Sequence, residues 1–311
     1  MLTLPPGLAD IAEQDDAGKT ASAQKRREWS RDEKWQKMAN PVRERAHSRG
    51  GGMRFEFDTS DPKVVNRTWK GIPDRWRATA WHSFLSASAR RRGPHASDDD
   101  LTNQFYQLQE MSSADDVQID VDVPRTISMH IMFRRRYRGG QRLLFRVLHA
   151  ISLYFPDTGY VQGMASLAAT FLCYYDEERA FVMMVRLWQL RGLEQLFQSG
   201  FEGLMSALGE FQKEWLGQGD VARQLEELGI DATAYGTRWY LTLFNLSLPF
   251  PAQLRIWDVF VLLGDAAGDG ASGKDFGGAD LDVLHAASAA LIDATREIII
   301  DSDFELSLIH I

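Results

Sequence analysis

VQIDVDVPRTISMHIMFRRRYRGGQRLLFRVLHAISLYFPDTGYVQGM, from Val117 to Met164, is the stretch whose reading decides the fold. A short signature stands at each end, with a helix-forming segment between them. The first signature is Ile119-Asp120-Val121-Asp122-Val123-Pro124-Arg125-Thr126, and the second is Gly159-Tyr160-Val161-Gln162-Gly163. One offers an arginine and the other a glutamine, each beside a Pro or Gly that constrains the backbone. Between them Leu143, Leu144, Val147, Leu148 and Ile151 make one apolar helix face, with Arg142 and Arg146 opposite. Pro156 and Gly159 end that helix.

Outward from this stretch the pattern stays helical. Toward the N-terminus, Gly71-Ile72-Pro73 opens a helix on which Trp76, Ala80, Trp81 and Phe84 share one side, Pro73 suiting its first position. Residues 90–100 (RRRGPHASDDD) read as a loop. Toward the C-terminus, residues 164–196 predict two buried helices parted near Asp176-Glu177-Glu178. Helical patterns follow over 205–216 and 221–228, each closed by a glycine, Gly217 and Gly229. Residues 235–264 predict two core helices split by Leu248-Pro249-Phe250-Pro251, and 281–299 one more, with Asp280 as its cap. No run of period-two strands and no fixed-length repeat is present. The expected class is all-α.

Residues 1–63 form a polar extension, expected to be largely disordered because so few aliphatics cannot offset the ordering entropy. A surface helix over 21–38 is the exception, with Trp29 and Trp35 as its large anchors. The globular domain is expected over 64–305. The last six residues, LSLIHI, resemble one reading frame of a transposon end used as a sequencing-library adapter. They are expected to be a non-native tail, 306–311, on a domain truncated at its C-terminal end.

Composition excludes several classes. The 311 residues are 25% charged and 44% hydrophobic, ordinary for a soluble protein, and the net charge of −8 argues against whole-surface nucleic-acid binding. The lone cysteine, Cys173, rules out a disulfide framework and a thiol metal site. The seven histidines show no metal-ligand spacing. No secretory leader is visible, and no apolar run approaches the roughly 18 residues that span a bilayer. A cytoplasmic chain is expected.

Four features, taken in order, resemble the TBC domain of Rab GTPase-activating proteins. Gly71-Ile72-Pro73, Arg77 and Trp81 resemble the family's opening motif. Ile119, Asp122 and Arg125 match I-x-x-D-x-x-R, and Tyr160, Gln162 and Gly163 match Y-x-Q-G. Trp239, Phe244, Leu248-Pro249 and Arg255-Ile256-Trp257-Asp258 resemble its C-terminal core. The likeness runs from about Trp69 to Glu305, and departs from the family in a glycine-rich loop over 264–279.

The resemblance implies an enzyme regulator rather than an enzyme. Such a protein binds a GTP-loaded Rab and supplies Arg125 as an arginine finger and Gln162 as a glutamine finger. The chemistry suits these residue types. Phosphoryl transfer from GTP spreads negative charge over the γ-phosphoryl oxygens, so catalysis is mostly positioning and charge stabilisation. The planar guanidinium pairs oxyanions and stays charged, and a glutamine amide can hold an attacking water while touching phosphate. The resemblance also implies an orienting role for Asp122. Tyr160 and Gly163 shape the backbone around Gln162, and Ile119 and Thr126 flank the arginine. Arg77, Trp81, Trp257 and Asp258 read as structural, the last as a cap.

No cofactor is expected in this chain, since GTP and Mg²⁺ travel with the partner. Peripheral association with endomembranes is expected. The alternative is a catalytically silent TBC scaffold that binds Rabs or adaptors in membrane traffic. Taken alone, Arg125 is a solvated loop arginine and Gln162 a turn residue; the ordered set of motifs turns both into fingers.

Two rival signals fall away. Gly268-x-x-x-x-Gly273-Lys274 mimics a phosphate-binding loop, but Asp275 replaces the Ser or Thr that would hold Mg²⁺. The arginine runs at 90–92 and 134–138 read mainly as solvated faces, with an acidic GTPase surface or anionic lipid as the other use.

Overall fold

The computed structural model describes residues 22–23, 25–42, 54–93, 95–126, 130, 132–133, 139–265, 281–305 and 307. Expectations for residues 1–21, the 134–138 arginine run, the loop over 266–279 with its Gly268 and Lys274, the Asp280 cap, and nearly all of the 306–311 tail lie outside them. The chain divides into two compact units, 1–80 and 81–311.

In the first unit a helix, α1, covers residues 25–36, and two strands follow, β1 (Asn40–Val42) and β2 (Arg54–Glu56). They pair antiparallel with Pro41 opposite Phe55. These strands lie within the 1–63 extension, where Trp35, Phe55 and Phe57 form a small aromatic cluster with Trp76. Trp35 is buried with its ring edge-on to Phe57 at 4.9 Å, and Trp76 meets both Phe55 and Phe57. Trp29 does not anchor α1; it is 73% exposed. Helix α2 (Pro62–Lys70) starts where the Asp61 carboxylate accepts from the Lys63 N–H, and Gly71 ends it. The long α3 (Asp74–Arg92) begins in this unit, one residue after Pro73.

Among its described residues the second unit contains helices and turns and no strand. The loop before α4 (Asp98–Leu108) is shorter than expected, because α3 continues to Arg92 and a Ser97–Asp100 capping box starts α4 early. Helix α5 (Asp116–Asp122) passes into a 3₁₀ turn, Val123–Arg125. Then come α6 (Gly140–Tyr154), α7 (Met164–Leu172), α8 (Glu177–Leu190) and the short α9 (Leu193–Leu196). The predicted break before α8 is made by Asp176, whose carboxylate accepts from the Arg179 N–H. Helices α6, α7 and α8 pack on one another, and α4 lies against α6 and α8.

Helix α10 (Glu202–Glu210) ends in a π turn, Phe211–Trp215, and α11 (Asp220–Glu227) follows. Helices α12 (Ala232–Thr242) and α13 (Phe250–Leu263) are the two core helices predicted over 235–264. Their break is wider than Leu248–Pro251, since Leu243, Phe244 and Leu246 all take positive φ. The single helix expected over 281–299 is two, α14 (Asp282–Ala294) and α15 (Arg296–Ile300). They part at Thr295, whose hydroxyl bonds back to the Leu291 carbonyl. Arg91 and Arg92, expected to be solvated, both pair with Asp265, at 3.0 and 2.6 Å.

Candidate functional site

The site grows from the start of α5. The Ser113 hydroxyl accepts from the Asp115 N–H, and the Asp116 carboxylate accepts from the Ser113 N–H. Asp116 also meets His149 Nδ1 of α6 at 2.6 Å, while His149 Nε2 lies 3.0 Å from the Leu108 carbonyl oxygen. Helix α5 is thereby fixed against α6. It buries Ile119 completely and Asp122 nearly so.

Pro124 has no N–H to continue the α-helical ladder, and the chain tightens into the 3₁₀ turn. Thr126 closes that turn, its N–H and its hydroxyl both donating to the Asp122 carbonyl, at 3.1 and 2.9 Å. Arg125 is the last residue of the turn and is exposed.

The second signature forms just past α6. The Gly159 N–H donates to the Phe155 carbonyl at 2.8 Å, and Gly159 takes φ +63°. A Cβ there would stand 2.9 Å from Asp115 Oδ2. That same oxygen accepts from the Tyr160 N–H at 2.8 Å. The Tyr160 hydroxyl then donates to Asp122 Oδ2 at 3.0 Å. Burial first, and the Asp122 charge second, push the phenol well above its ordinary pKa, so it remains a donor at neutral pH.

Gln162 follows two residues later and is exposed. Gly163 turns the chain into α7 at φ +112°, and its carbonyl accepts from both the N–H and the hydroxyl of Ser166. A Cβ at Gly163 would lie 3.4 Å from the Leu241 carbonyl oxygen.

Tyr160 thus makes two hydrogen bonds to α5, one at each end of the helix. Arg125 lies three residues from one side of the Asp122–Tyr160 crosslink and Gln162 two from the other. Both side chains are left in solvent. The geometry can present a cation and an amide to a negatively charged group brought from outside.

The remaining predicted residues serve elsewhere. In the first unit the buried Arg77 donates to the Ile72 carbonyl at 2.7 Å and meets Asp74 at 2.6 Å, which fixes the Gly71-Ile72-Pro73 turn. In the second, the Trp81 indole N–H donates to the buried Asp258 at 2.9 Å, and its ring lies 5.6 Å from that of Trp257. The Trp257 indole donates to the Leu243 carbonyl. Asp258 lies within α13, so it is not that helix's cap as expected, and its carboxylate accepts from Trp81. Trp239 is buried between Tyr235 and Phe244, at 5.1 and 5.6 Å.

Sequence reasoning missed Asp115, Asp116 and His149. The Ser-Ser-Ala-Asp-Asp run at 112–116 is a helix-start signal that could have flagged the two acids. Nothing in one sequence points to His149. Among the described residues, no three His, Cys, Asp or Glu side chains gather in a way that could hold a metal ion. Among the described residues no helix is long and apolar enough to cross a membrane.

Comparison with known proteins is consistent across sequence and structure. The model of the Rab-GTPase-TBC domain matches residues 74–269. A TBC domain-containing protein of Schizosaccharomyces pombe is 46% identical over 90% of this chain, which spans 62% of that relative's length. The Rab GTPase-activating protein tbc-11 of Caenorhabditis elegans is 27% identical over 79% of the chain, which covers 24% of it. Human TBC1 domain family member 10B is 33% identical over 64% of the chain, again covering 24% of the relative.

Among solved structures, the Ypt/Rab-GAP domain of Gyp1p superposes with TM-score 0.63 at 15% identity, over 82% of this chain and 85% of that one. The Chlamydomonas flagellar RabGAP TBC domain gives 0.61 at 17% identity, over 100% of this chain and 90% of that one. At such identities these two structures speak for the fold alone.

Proposed function

The chain belongs to the Rab-GTPase-TBC domain family, and from that premise we propose that it accelerates GTP hydrolysis by a Rab-family GTPase, with Arg125 and Gln162 as the groups inserted. The observation that carries the proposal is the Asp122–Tyr160 crosslink, which holds the two signatures together while leaving both working side chains in solvent.

The division of labour follows from the chemistry. The Arg125 guanidinium would neutralise charge that builds on the γ-phosphoryl and leaving-group oxygens; an arginine supplied in trans is worth about 10³ to 10⁵ in rate. The Gln162 amide would orient the attacking water, its oxygen accepting from the water and its N–H groups donating to phosphate. The nucleotide and Mg²⁺ belong to the partner. Asp122, Tyr160, Thr126 and Gly163 keep the two backbones in place and do not themselves reach the phosphate. An inserted group loses rate steeply when displaced by about 1 Å, which is why buried hydrogen bonds stand behind two exposed side chains.

The test is GTP hydrolysis by a panel of GTP-loaded Rabs with and without this protein. Acceleration of one or a few of them, abolished in Arg125→Ala, supports the activator and names its substrate. No acceleration of any Rab by a folded protein overturns the activator in favour of a binding scaffold.

A further inference from the structure

The first unit contains a cleft of about 390 Å³ lined by Arg26, Arg27, Arg31, Lys34, Arg67 and Lys70, with Ser30, Trp35 and Gly71 completing it. We propose that this cleft is a binding site for a small ligand bearing several clustered phosphates, of the inositol polyphosphate class.

The sequence builds the cleft from two helices. Arg27, Ser30, Arg31 and Lys34 recur at three- and four-residue spacing and so share one face of α1. Arg67 and Lys70 stand in the last turn of α2. Three of the six cations, Arg67, Lys70 and the Lys34 in the last turn of α1, have an ordinary explanation, since positive side chains are favoured at a helix C-terminus. Arg26, Arg27 and Arg31 do not.

Six like charges around one concavity repel each other, and no carboxylate lines it. Among the described residues, Arg31 is the one member of these six with an acidic partner, Glu28 at 3.4 Å, and both side chains of that pair are more than a third exposed. Such surface pairs are weak and easily exchanged for a better anion. Of the other acidic groups on α1, Asp32 pairs with Arg75 at 3.6 Å and Glu33 does not line the cleft.

The shape and chemistry select the ligand class. A concave site focuses potential, where the same charges on a flat face would let it spread. Four of the cations are arginines, whose forked N–H groups pair phosphate oxygens two at a time. Trp35, 1% exposed, closes the cleft from beneath and leaves the charged side chains at its rim. A phosphorylated ring can present several phosphates to such a rim at once, whereas a single carboxylate or phosphodiester cannot engage six cations. The volume is at the lower end of the range for small-molecule pockets. The phosphates could come from a free inositol phosphate or from a lipid headgroup.

The experiment uses the full chain. Inositol 1,4,5-trisphosphate is titrated calorimetrically. Co-sedimentation is measured with phosphatidylcholine vesicles carrying phosphatidylinositol 4,5-bisphosphate, and with vesicles carrying phosphatidylserine at equal charge. The double variant Arg27→Gln/Lys34→Gln is compared, its fold checked by circular dichroism, together with Arg67→Gln alone. Binding of the trisphosphate is expected, weakened roughly fivefold for each cation removed.

Trisphosphate binding without a preference for bisphosphate vesicles assigns the site to a free ligand, and binding of both assigns it to a headgroup. Absence of trisphosphate binding together with equal affinity for the two charged vesicles overturns the proposal, leaving only diffuse attraction. So does undiminished binding by the folded double variant. Loss in that variant of binding to an acidic protein, with the trisphosphate never bound, also overturns it.

Discussion

The hydroxyl of Tyr160 and the carboxylate of Asp122 meet at 3.0 Å although 38 residues separate them in the chain. This bond joins the end of α5 to the turn before α7, and the two exposed residues proposed to work on GTP branch from either side of it. Because Asp122 is nearly buried, its oxygen depends on this donor. Loss of the phenol leaves a carboxylate oxygen without it in a low-dielectric setting, which costs more than the bond's net worth.

Tyr160→Phe is therefore expected to lower stability by about 1–3 kcal/mol, read from urea unfolding. It should also reduce stimulated hydrolysis while both Arg125 and Gln162 remain. Unchanged stability would show that the crosslink does not hold the two segments.

Arg125→Lys is expected to lose nearly as much stimulated rate as Arg125→Ala. The ammonium keeps the charge but not the planar fork that bonds oxyanions in pairs. Gln162→Ala should slow hydrolysis more than it weakens binding to a GTP-loaded Rab. A lysine variant with near-normal rates, or a Gln162→Ala complex that forms poorly yet hydrolyses at full speed, would each count against the proposed role of that residue. Single-turnover assays with binding measured in parallel separate these cases.

Gly163→Ala places a Cβ at φ +112° and 3.4 Å from the Leu241 carbonyl oxygen. Non-glycine residues held in such regions cost of order 1–3 kcal/mol. The neighbouring Gln162 should shift with the backbone, so rate should fall further than stability alone explains. Wild-type rates in this variant would place the tolerance of the turn above its strain.

His285 of α14 supplies a pH dependence unrelated to the candidate site. It is buried against Phe211 and Trp215, with Tyr240 Oη 2.6 Å from its Nδ1 and the half-exposed Glu210 3.9 Å from its Nε2. Burial lowers its pKa from 6.5 to about 4. Between those values the unfolded chain binds a proton that the folded chain does not, so stability rises with pH across the window. It is complete above 6.5 and lost as pH falls toward 4, by at most on the order of 3 kcal/mol. Urea midpoints at pH 7.5 and 5 should show the loss, and His285→Phe should shrink it. An identical slope in that variant would assign the pH dependence to other groups.

The helical class and most helix positions were legible because apolar spacing and breakers act locally. Asp176 before α8, Gly217 after the π turn and Pro249 before α13 all do what their residue types predict. Thr295 was not legible, since its hydroxyl ends α14 by a bond any threonine could make or omit. The hairpin of β1 and β2 escaped notice because three-residue strands carry almost no periodicity; it is held by Trp35 and Phe57, which only folding brings edge to face.

The sequence by itself determined the family, through four ordered motifs, and the identity of the arginine and glutamine worth testing. Those are properties of residue type and spacing along one chain. Only the tertiary structure decided that Tyr160 bonds Asp122, that Asp115 takes the Tyr160 N–H, that Asp258 serves Trp81, and that six cations share one cleft. Each of these pairs residues from separate segments, and nothing local in a sequence records which side chains the packing of helices will bring within three ångströms or so.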